Sequence, residues 1–427
     1  MKNDHIKKNK LMILGANPET IQIVKKANEL GYYTIVVDPN QNSPAKRYAK
    51  ESYELDCLKK EELLKLARRE KVDGVLVGVA DILVNSYQYL CENLSLPCYT
   101  SSKIQTAFKN KSAFNKICDA FEVDRIPTFS REDAIKFLSL TNKRDLNRIL
   151  IKPIDNGGGV GMSVISDPND LDEAIKTAVK HSPSKKYLIE RYMDCDDMFA
   201  YYNFQDGMIH LCATADRITS KKQPGLSPVC TGAIYPSKYQ DEFLERVHPK
   251  LIKMFNSLKI KNGVLNLQFF VKDKFYAYDP GFRIQGEGPH IPINDANNFN
   301  NVEMLIKFAM TSSYGVNLQT LNDLYLNKNF YATIWILLKS GKINKIDGLQ
   351  EIEKKKGFVK IKQRLFVGDH ITKNMVGNEK QVFARIYVKG RTRKILKKIV
   401  EEISQSVSVR SEYNENMVLD YLRSNEF

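Results

Sequence analysis

The sequence predicts an α/β fold, mixed α+β in its middle, that ends in a β-rich unit. Three observations carry this. Over the first hundred residues, short apolar runs alternate with helical stretches, the pattern of βαβ units on a parallel sheet. A glycine-dense loop then separates two apolar runs, and a pair of long strands follows at 264–271 and 275–283. The final hundred residues switch to short strands and one basic helix.

The elements follow in order. The apolar run 11–14 ends at Gly15-Ala16-Asn17-Pro18, and a helical stretch with Ile21, Val24, Ala27 and Leu30 stops at Gly31. A strand at 33–37 is closed by Asp38-Pro39, and a helix at 60–70 precedes a strand at 72–77. Gly15 and Asp38 stand where a dinucleotide-binding sheet would carry its glycine and its carboxylate. GxGxxG itself is absent, so a turn and a strand-end carboxylate are the plainer reading. Residues 102–137 read as helical with an interruption at 123–127, and a helix is expected at 241–258. Strands at 331–338, 358–366 and 381–388 and a helix at 392–404 complete the chain.

Composition bounds the function. The 427 residues suggest about three domains at roughly 150 residues each. An apolar fraction of 43% argues against a chain dominated by disorder. The 65 basic and 50 acidic residues leave +15, compatible with nucleic acid, an anionic surface, a polyanionic substrate or simply a Lys-rich surface. Seven cysteines without CxxC spacing give neither a disulfide framework nor a zinc site. The run 11–14 is too short for a secretion signal, and Asp81 interrupts the apolar stretch 74–84. The expectation is a reduced, soluble, cytoplasmic protein without a membrane partner.

Three motifs carry chemistry. In residues 151–163 a strand delivers Lys152 into a loop with Gly157, Gly158, Gly159 and Gly161, followed by a strand at 163–165. Consecutive glycines let backbone N–H groups turn toward one anion, and the lysine adds a compact positive charge. No Gly-Lys-Ser/Thr closes the loop, so a hairpin over phosphates fits better than a P-loop; a bare surface hairpin is the bland alternative. The strand 187–193 ends in Glu190, Arg191 and Tyr192 and runs into Asp194, Asp196 and Asp197. Beyond a strand end, amides read an adenine edge and a carboxylate accepts ribose hydroxyls; alone, an acidic loop is usually just solvated. In the third motif, read as an antiparallel pair, Gln268 and Asp279 would face one side and offer oxygens to Mg²⁺, with Arg283 pointing to the same phosphates; taken alone, an ordinary amphipathic hairpin with a surface ion pair is the plainer reading.

In order and spacing these motifs resemble the ATP-grasp superfamily, and within it the carboxylate–amine ligase branch: carbamoyl phosphate synthetase ATP-binding halves, purine-biosynthesis carboxylases and L-amino-acid ligases. The resemblance implies an ATP-grasp fold with a Rossmann-like pre-ATP domain at 1–101 and a helical linker at 102–147. A small lid subdomain at 148–235, a large subdomain with the metal site at 236–325, and a β-rich C-terminal domain at 326–427 would follow. It implies ATP contacts from Lys111, Lys152, the loop glycines, Glu190, Arg191, Tyr192 and, on the ribose, Asp197. Metal ligands would be Gln268 and Asp279, for Mg²⁺ or Mn²⁺; Arg283, Lys111 and Lys152 would stabilise the transferred phosphoryl group. The sequence departs from the pattern in having Asp rather than Glu at 197 and 279, and Gly281 where many members have a metal-binding Asn; Glu287 is a candidate substitute.

The chemistry so implied is phosphoryl transfer from ATP to a carboxylate, then displacement of phosphate by an amine. Arg217, Lys221 and Lys222, read as a loop, and Gln285 and His290 are candidate substrate contacts. Alternatives are a carboxylase or phosphotransferase that forms no amide, and a nucleotide-binding regulatory module. The basic helix near Arg391, Arg393, Lys394, Lys397 and Lys398 lacks interleaved aromatics, so nucleic acid is not expected. Relatives of this kind commonly form homodimers, which the resemblance adds as an expectation.

Overall fold

The computed structural model describes residues 9–140, 147–154, 160–220, 228–316 and 329–427. The chain opens with β1 (Lys10–Leu14), α1 (Ile21–Glu29), β2 (Tyr33–Asp38), β3 (Glu51–Glu54), α2 (Lys60–Glu70), β4 (Gly74–Val77) and α3 (Val84–Leu94). The four strands form a parallel sheet in the order β3-β2-β1-β4. Leu11 through Leu14 and Val75 through Val77 are wholly buried, as strands covered on both faces must be. Asp38 is spent on its own turn: its carboxylate accepts from the Ala16 N–H at 3.0 Å and from the Ser43 hydroxyl at 2.6 Å.

Helices α4 (Ser102–Lys109), α5 (Lys111–Ala120) and α6 (Arg131–Leu138) follow. Asn110 breaks the first two apart: its backbone is extended and its side chain accepts from the Ala113 N–H, capping α5. Strands β5 (Ile149–Pro153), β6 (Ser163–Ile165) and β7 (Tyr187–Arg191) form a small antiparallel sheet in the order β6-β5-β7. With α6 and α7 (Leu171–Lys180) it has its own core of Ala134, Leu138, Ile149, Ile151, Leu171 and Ile189.

The centre is a nine-stranded sheet. It takes β8 (Asp196–Gln205), β9 (Met208–Thr219), β10 (Cys230–Tyr235), β11 (Gly263–Val271) and β12 (Phe275–Gly281), with α8 (Gln240–Arg246) and α9 (His248–Ser257) between β10 and β11. The expected single helix at 241–258 is two, because Pro249 at the start of α9 removes a backbone donor. Helices α10 (His290–Asn297) and α11 (Asn301–Thr311) lead to β13 (Phe330–Leu338), β14 (Gly341–Asp347), α12 (Leu349–Glu353), β15 (Phe358–Gln363), β16 (His370–Ile371), β17 (Val382–Gly390), α13 (Arg393–Ser406), β18 (Ser408–Ser411) and β19 (Val418–Asp420). The strand order is β12-β11-β8-β9-β10-β13-β17-β15, with β19 also on β13; β16-β14-β18 form a separate small sheet.

Two boundaries differ from the sequence reading. Strands β8 to β10, expected with the glycine loop, lie in the large sheet, and the C-terminal strands extend that same sheet rather than building one apart. The physical reason is burial: β8 is covered along its length, with Tyr202 and Phe204 packed edge-on to Phe255 of α9. Helix α11 lies so close to β4 that a Cβ on Gly74 would sit 2.5 Å from the Ala309 carbonyl oxygen, which locks the N-terminal unit to the centre. Among the described residues no helix is long and apolar enough to cross a membrane.

Candidate active site

The β11/β12 hairpin sets the centre. Asn266 pairs with Gly281 and Gln268 with Asp279, after which the register shifts so that Phe269 meets Ala277. Tyr278 is therefore an extra residue, a β-bulge that brings two consecutive side chains to one face. Its hydroxyl contacts the Gln268 amide oxygen and both oxygens of Asp197, the latter at 3.0 Å. The Gln268 amide donates to Asp279 at 3.5 Å.

Asp279 is exposed to solvent, yet dense surrounding protein pushes its carboxyl above the usual carboxylate range. The Asp81 carboxylate adds to that push, and Arg283, Lys111 and Lys152 oppose it. Four charged groups from four separate stretches of chain thus act on the Asp279 carboxyl. A cation there would relieve the crowding of carboxylates, so the oxygens of Gln268 and Asp279 suit a hard metal ion. Among the described residues no group of three or more His, Cys, Asp or Glu side chains could hold a metal, so an ion on this pair would need further oxygens.

Arg283 lies just past β12. Its guanidinium pairs with Asp81, donates to the Ile284 carbonyl at 3.0 Å, and keeps a buried Nε without a hydrogen-bond partner. Lys111 begins α5, directly after the Asn110 cap. Lys152 on β5 forms an ion pair with Glu190 on the neighbouring β7. Arg191 closes β7 and donates its N–H to the Pro127 carbonyl, and the Tyr192 ring lies 4.5 Å from the Arg148 guanidinium. Gly161 has φ of +75°, and a Cβ there would lie 2.6 Å from that of His181. Gly157, Gly158 and Gly159 lie outside the described residues, as do Lys221 and Lys222.

Asp197 is on β8, buried, and bound to Arg217 at 3.0 Å as well as to Tyr278. It therefore faces the Gln268 side of the large sheet. Arg217 belongs to β9 rather than to a loop, since the strand continues to Thr219, and its charge is engaged by Asp197. Gln285 has a buried Oε1 without a partner. His290 opens α10, buried, with Nδ1 unpartnered and burial pushing the ring well toward its neutral form.

A cluster beyond Arg283 was not found from sequence. Glu19 lies 3.3 Å from both Arg364 and Arg385. Arg385 also donates to the Gly286 carbonyl at 2.8 Å, and its guanidinium lies 4.0 Å from the Trp335 ring centre. Tyr387 donates to the Glu287 carbonyl at 2.8 Å. Burial pushes the Glu287 carboxyl up to about 7, against the pull of Arg217. Lys362 is pushed down to about 7 by burial and by the nearby charges of Arg385 and Lys360. The available signal was Arg385, a charge inside the apolar run Val382-Phe-Ala-Arg-Ile-Tyr-Val388. Asp81 had registered only as a break in another apolar run.

Residues 110–288 match the family described as carbamoyl-phosphate synthase L chain, ATP binding domain. The carbamoyl phosphate synthase large chain of Thermotoga petrophila is 23% identical over 279 residues, covering 62% of this chain and 25% of its own. The chain thus spans about a quarter of that relative's length. Among solved structures, the phosphoribosylglycinamide synthetase of Anaerococcus prevotii superposes with a TM-score of 0.76 at 17% identity, over 95% of this chain and 100% of that one. The L-amino acid ligase of Bacillus licheniformis gives 0.74 at 16% identity, over 95% and 99%.

Proposed function

We propose that this chain, an ATP-grasp protein by its fold and by the match of residues 110–288, is a ligase that uses ATP to activate a carboxylate as an acyl phosphate and couples it to an amine. The observation that carries this is the β11/β12 hairpin, which pairs Gln268 with Asp279 just ahead of Arg283, in a place where the charges of Arg283, Lys111 and Lys152 are felt by the Asp279 carboxyl. Positive charge acting on one carboxylate–amide pair is the electrostatic setting that phosphoryl transfer needs.

Each group then has a task. Gln268 and Asp279 would hold Mg²⁺, which would supply positive charge to neutralise phosphate oxygens. Lys111 and Lys152 hold phosphate oxygens. Arg283 leaves Asp81 to stabilise charge spreading over the moving group, and its unpartnered Nε is available for a second contact. The small sheet carrying Lys152 and Gly161 is the lid; closed, it keeps water from the acyl phosphate. Gln285 and His290 line the acceptor side, and Arg385 braces it by holding the Gly286 carbonyl. A neutral His290 accepts or donates a hydrogen bond without adding charge there.

The test is ADP release over carboxylates crossed with amines, amino acids and amino sugars. Release that needs both partners, with a new amide in the products, supports ligation. ADP release with a carboxylate alone, at a rate no amine changes, would overturn it in favour of a phosphotransferase.

A further inference from the structure

Gly281 cannot supply the side-chain oxygen that the resemblance leads one to expect on β12. The residue directly across the hairpin can. Asn266 pairs with Gly281 on the adjacent strand, and paired residues of an antiparallel ladder share a face. Asn266 and Gln268 are two residues apart on β11, so their side chains leave the same side, about 7 Å apart at the backbone. That is within reach of one ion for side chains of their length. Asp279, opposite Gln268, completes a set on one face.

Two further observations single out Asn266. It is 7% exposed, and its Oδ1 is buried with no hydrogen-bond partner. A buried amide oxygen without a donor is uncommon and asks for a reason. The opposite strand is open at this level: a Cβ on Gly281 would meet nothing nearer than the Asn266 backbone oxygen at 4.0 Å. The missing side chain on one strand thus stands across the ladder from the unpartnered amide on the other.

We propose that Asn266 is the third protein ligand of the divalent cation, its amide oxygen taking over across the β11/β12 pair the task that Gly281 cannot perform. This rests on the reading of Gln268 and Asp279 as metal ligands. An amide oxygen is a hard, neutral donor suited to Mg²⁺ or Mn²⁺. The ion would then be held by one carboxylate and two amides, with remaining positions left to phosphate and water.

The test uses Mn²⁺ with a non-hydrolysable ATP analogue, titrating the free Mn²⁺ signal by electron paramagnetic resonance. N266A should weaken Mn²⁺ binding at least tenfold. Adding G281N to N266A should recover most of that loss by restoring an oxygen from the opposite strand. N266D, which keeps the shape and adds charge, should bind Mn²⁺ more tightly than the unaltered chain, and it serves if N266A does not fold. Mn²⁺ binding unchanged in N266A, or a loss that G281N does not restore, overturns the assignment. Q268A and D279A separate the two claims. If they lose Mn²⁺ while N266A keeps it, Asn266 is wrong and the hairpin remains the metal site; if they too keep it, the hairpin reading itself fails.

Discussion

Arg385 and Glu19 allow a prediction whose order, as well as its size, follows from the structure. The Arg385 side chain is 2% exposed and holds Glu19 at 3.3 Å, the Gly286 carbonyl at 2.8 Å and the face of Trp335 at 4.0 Å. Replacing it with methionine removes a charged hydrogen bond, worth about 1.5–3 kcal/mol, and a desolvated cation–π contact, worth about 2 kcal/mol. It also removes the cost of burying a guanidinium, and Glu19 is not stranded because Arg364 still lies 3.3 Å away. The net loss expected for R385M is about 3 kcal/mol, at the low end for breaking a buried pair. E19Q should cost more, about 4–5 kcal/mol, since among the described residues it leaves two buried guanidinium groups with no carboxylate partner but Glu379, whose side chain is 58% exposed. Trp335 is the only tryptophan in the chain, so its emission during urea unfolding reads the cluster directly. If R385M proves more damaging than E19Q, or both lie within about 1 kcal/mol of the parent, the charge accounting is wrong.

Further outcomes follow from the same geometry. D279A and R283A should each abolish ATP turnover while leaving measurable nucleotide binding by calorimetry; unchanged turnover in either sinks the site assignment. Glu287, raised from 4.5 to about 7, keeps a proton in the folded protein that the unfolded chain would lose. Its stabilising contribution is complete below pH 4.5 and vanishes as pH rises through about 7. E287Q, uncharged at every pH, should therefore gain on the parent through that window in thermal melts, and a flat difference would refute the shift. G74A should destabilise by about 1–3 kcal/mol, because its Cβ would lie 2.5 Å from a backbone oxygen of α11. A melting temperature equal to the parent's would show that α11 gives way freely.

What the sequence disclosed was whatever local patterning controls. The helix expected at 60–70 is α2 at those bounds, and the strand expected at 163–165 is β6. The N-terminal parallel sheet was legible because its strands are apolar on both faces. β3 escaped notice because Glu51-Ser-Tyr-Glu54 is a half-exposed edge strand with little apolar signal. Sheet membership was harder: nothing within β8 to β10 says which sheet they join, since that depends on helices and strands far along the chain. The same holds for the site. Gln268, Asp279 and Arg283 sit within one hairpin and its exit, where spacing is informative. Glu19 and Arg385 are 366 residues apart, and only the fold brings them together. The bulge at Tyr278 was equally invisible, because it needs the partner strand to define it.

The pairing of β10 with β13 has a practical meaning for anyone wishing to shorten this protein. Residues 232–235 on β10 hydrogen-bond to residues 331–334 on β13, and a Cβ on Gly232 would lie 2.4 Å from the Thr333 carbonyl oxygen. A fragment ending at 316 would leave β10 as a raw border of unsatisfied amides and carbonyls, an invitation to stack with other copies. Trimming the chain there should thus yield precipitate rather than a smaller folded protein, and the last hundred residues behave as half of a seam rather than as a cap that can be lifted off.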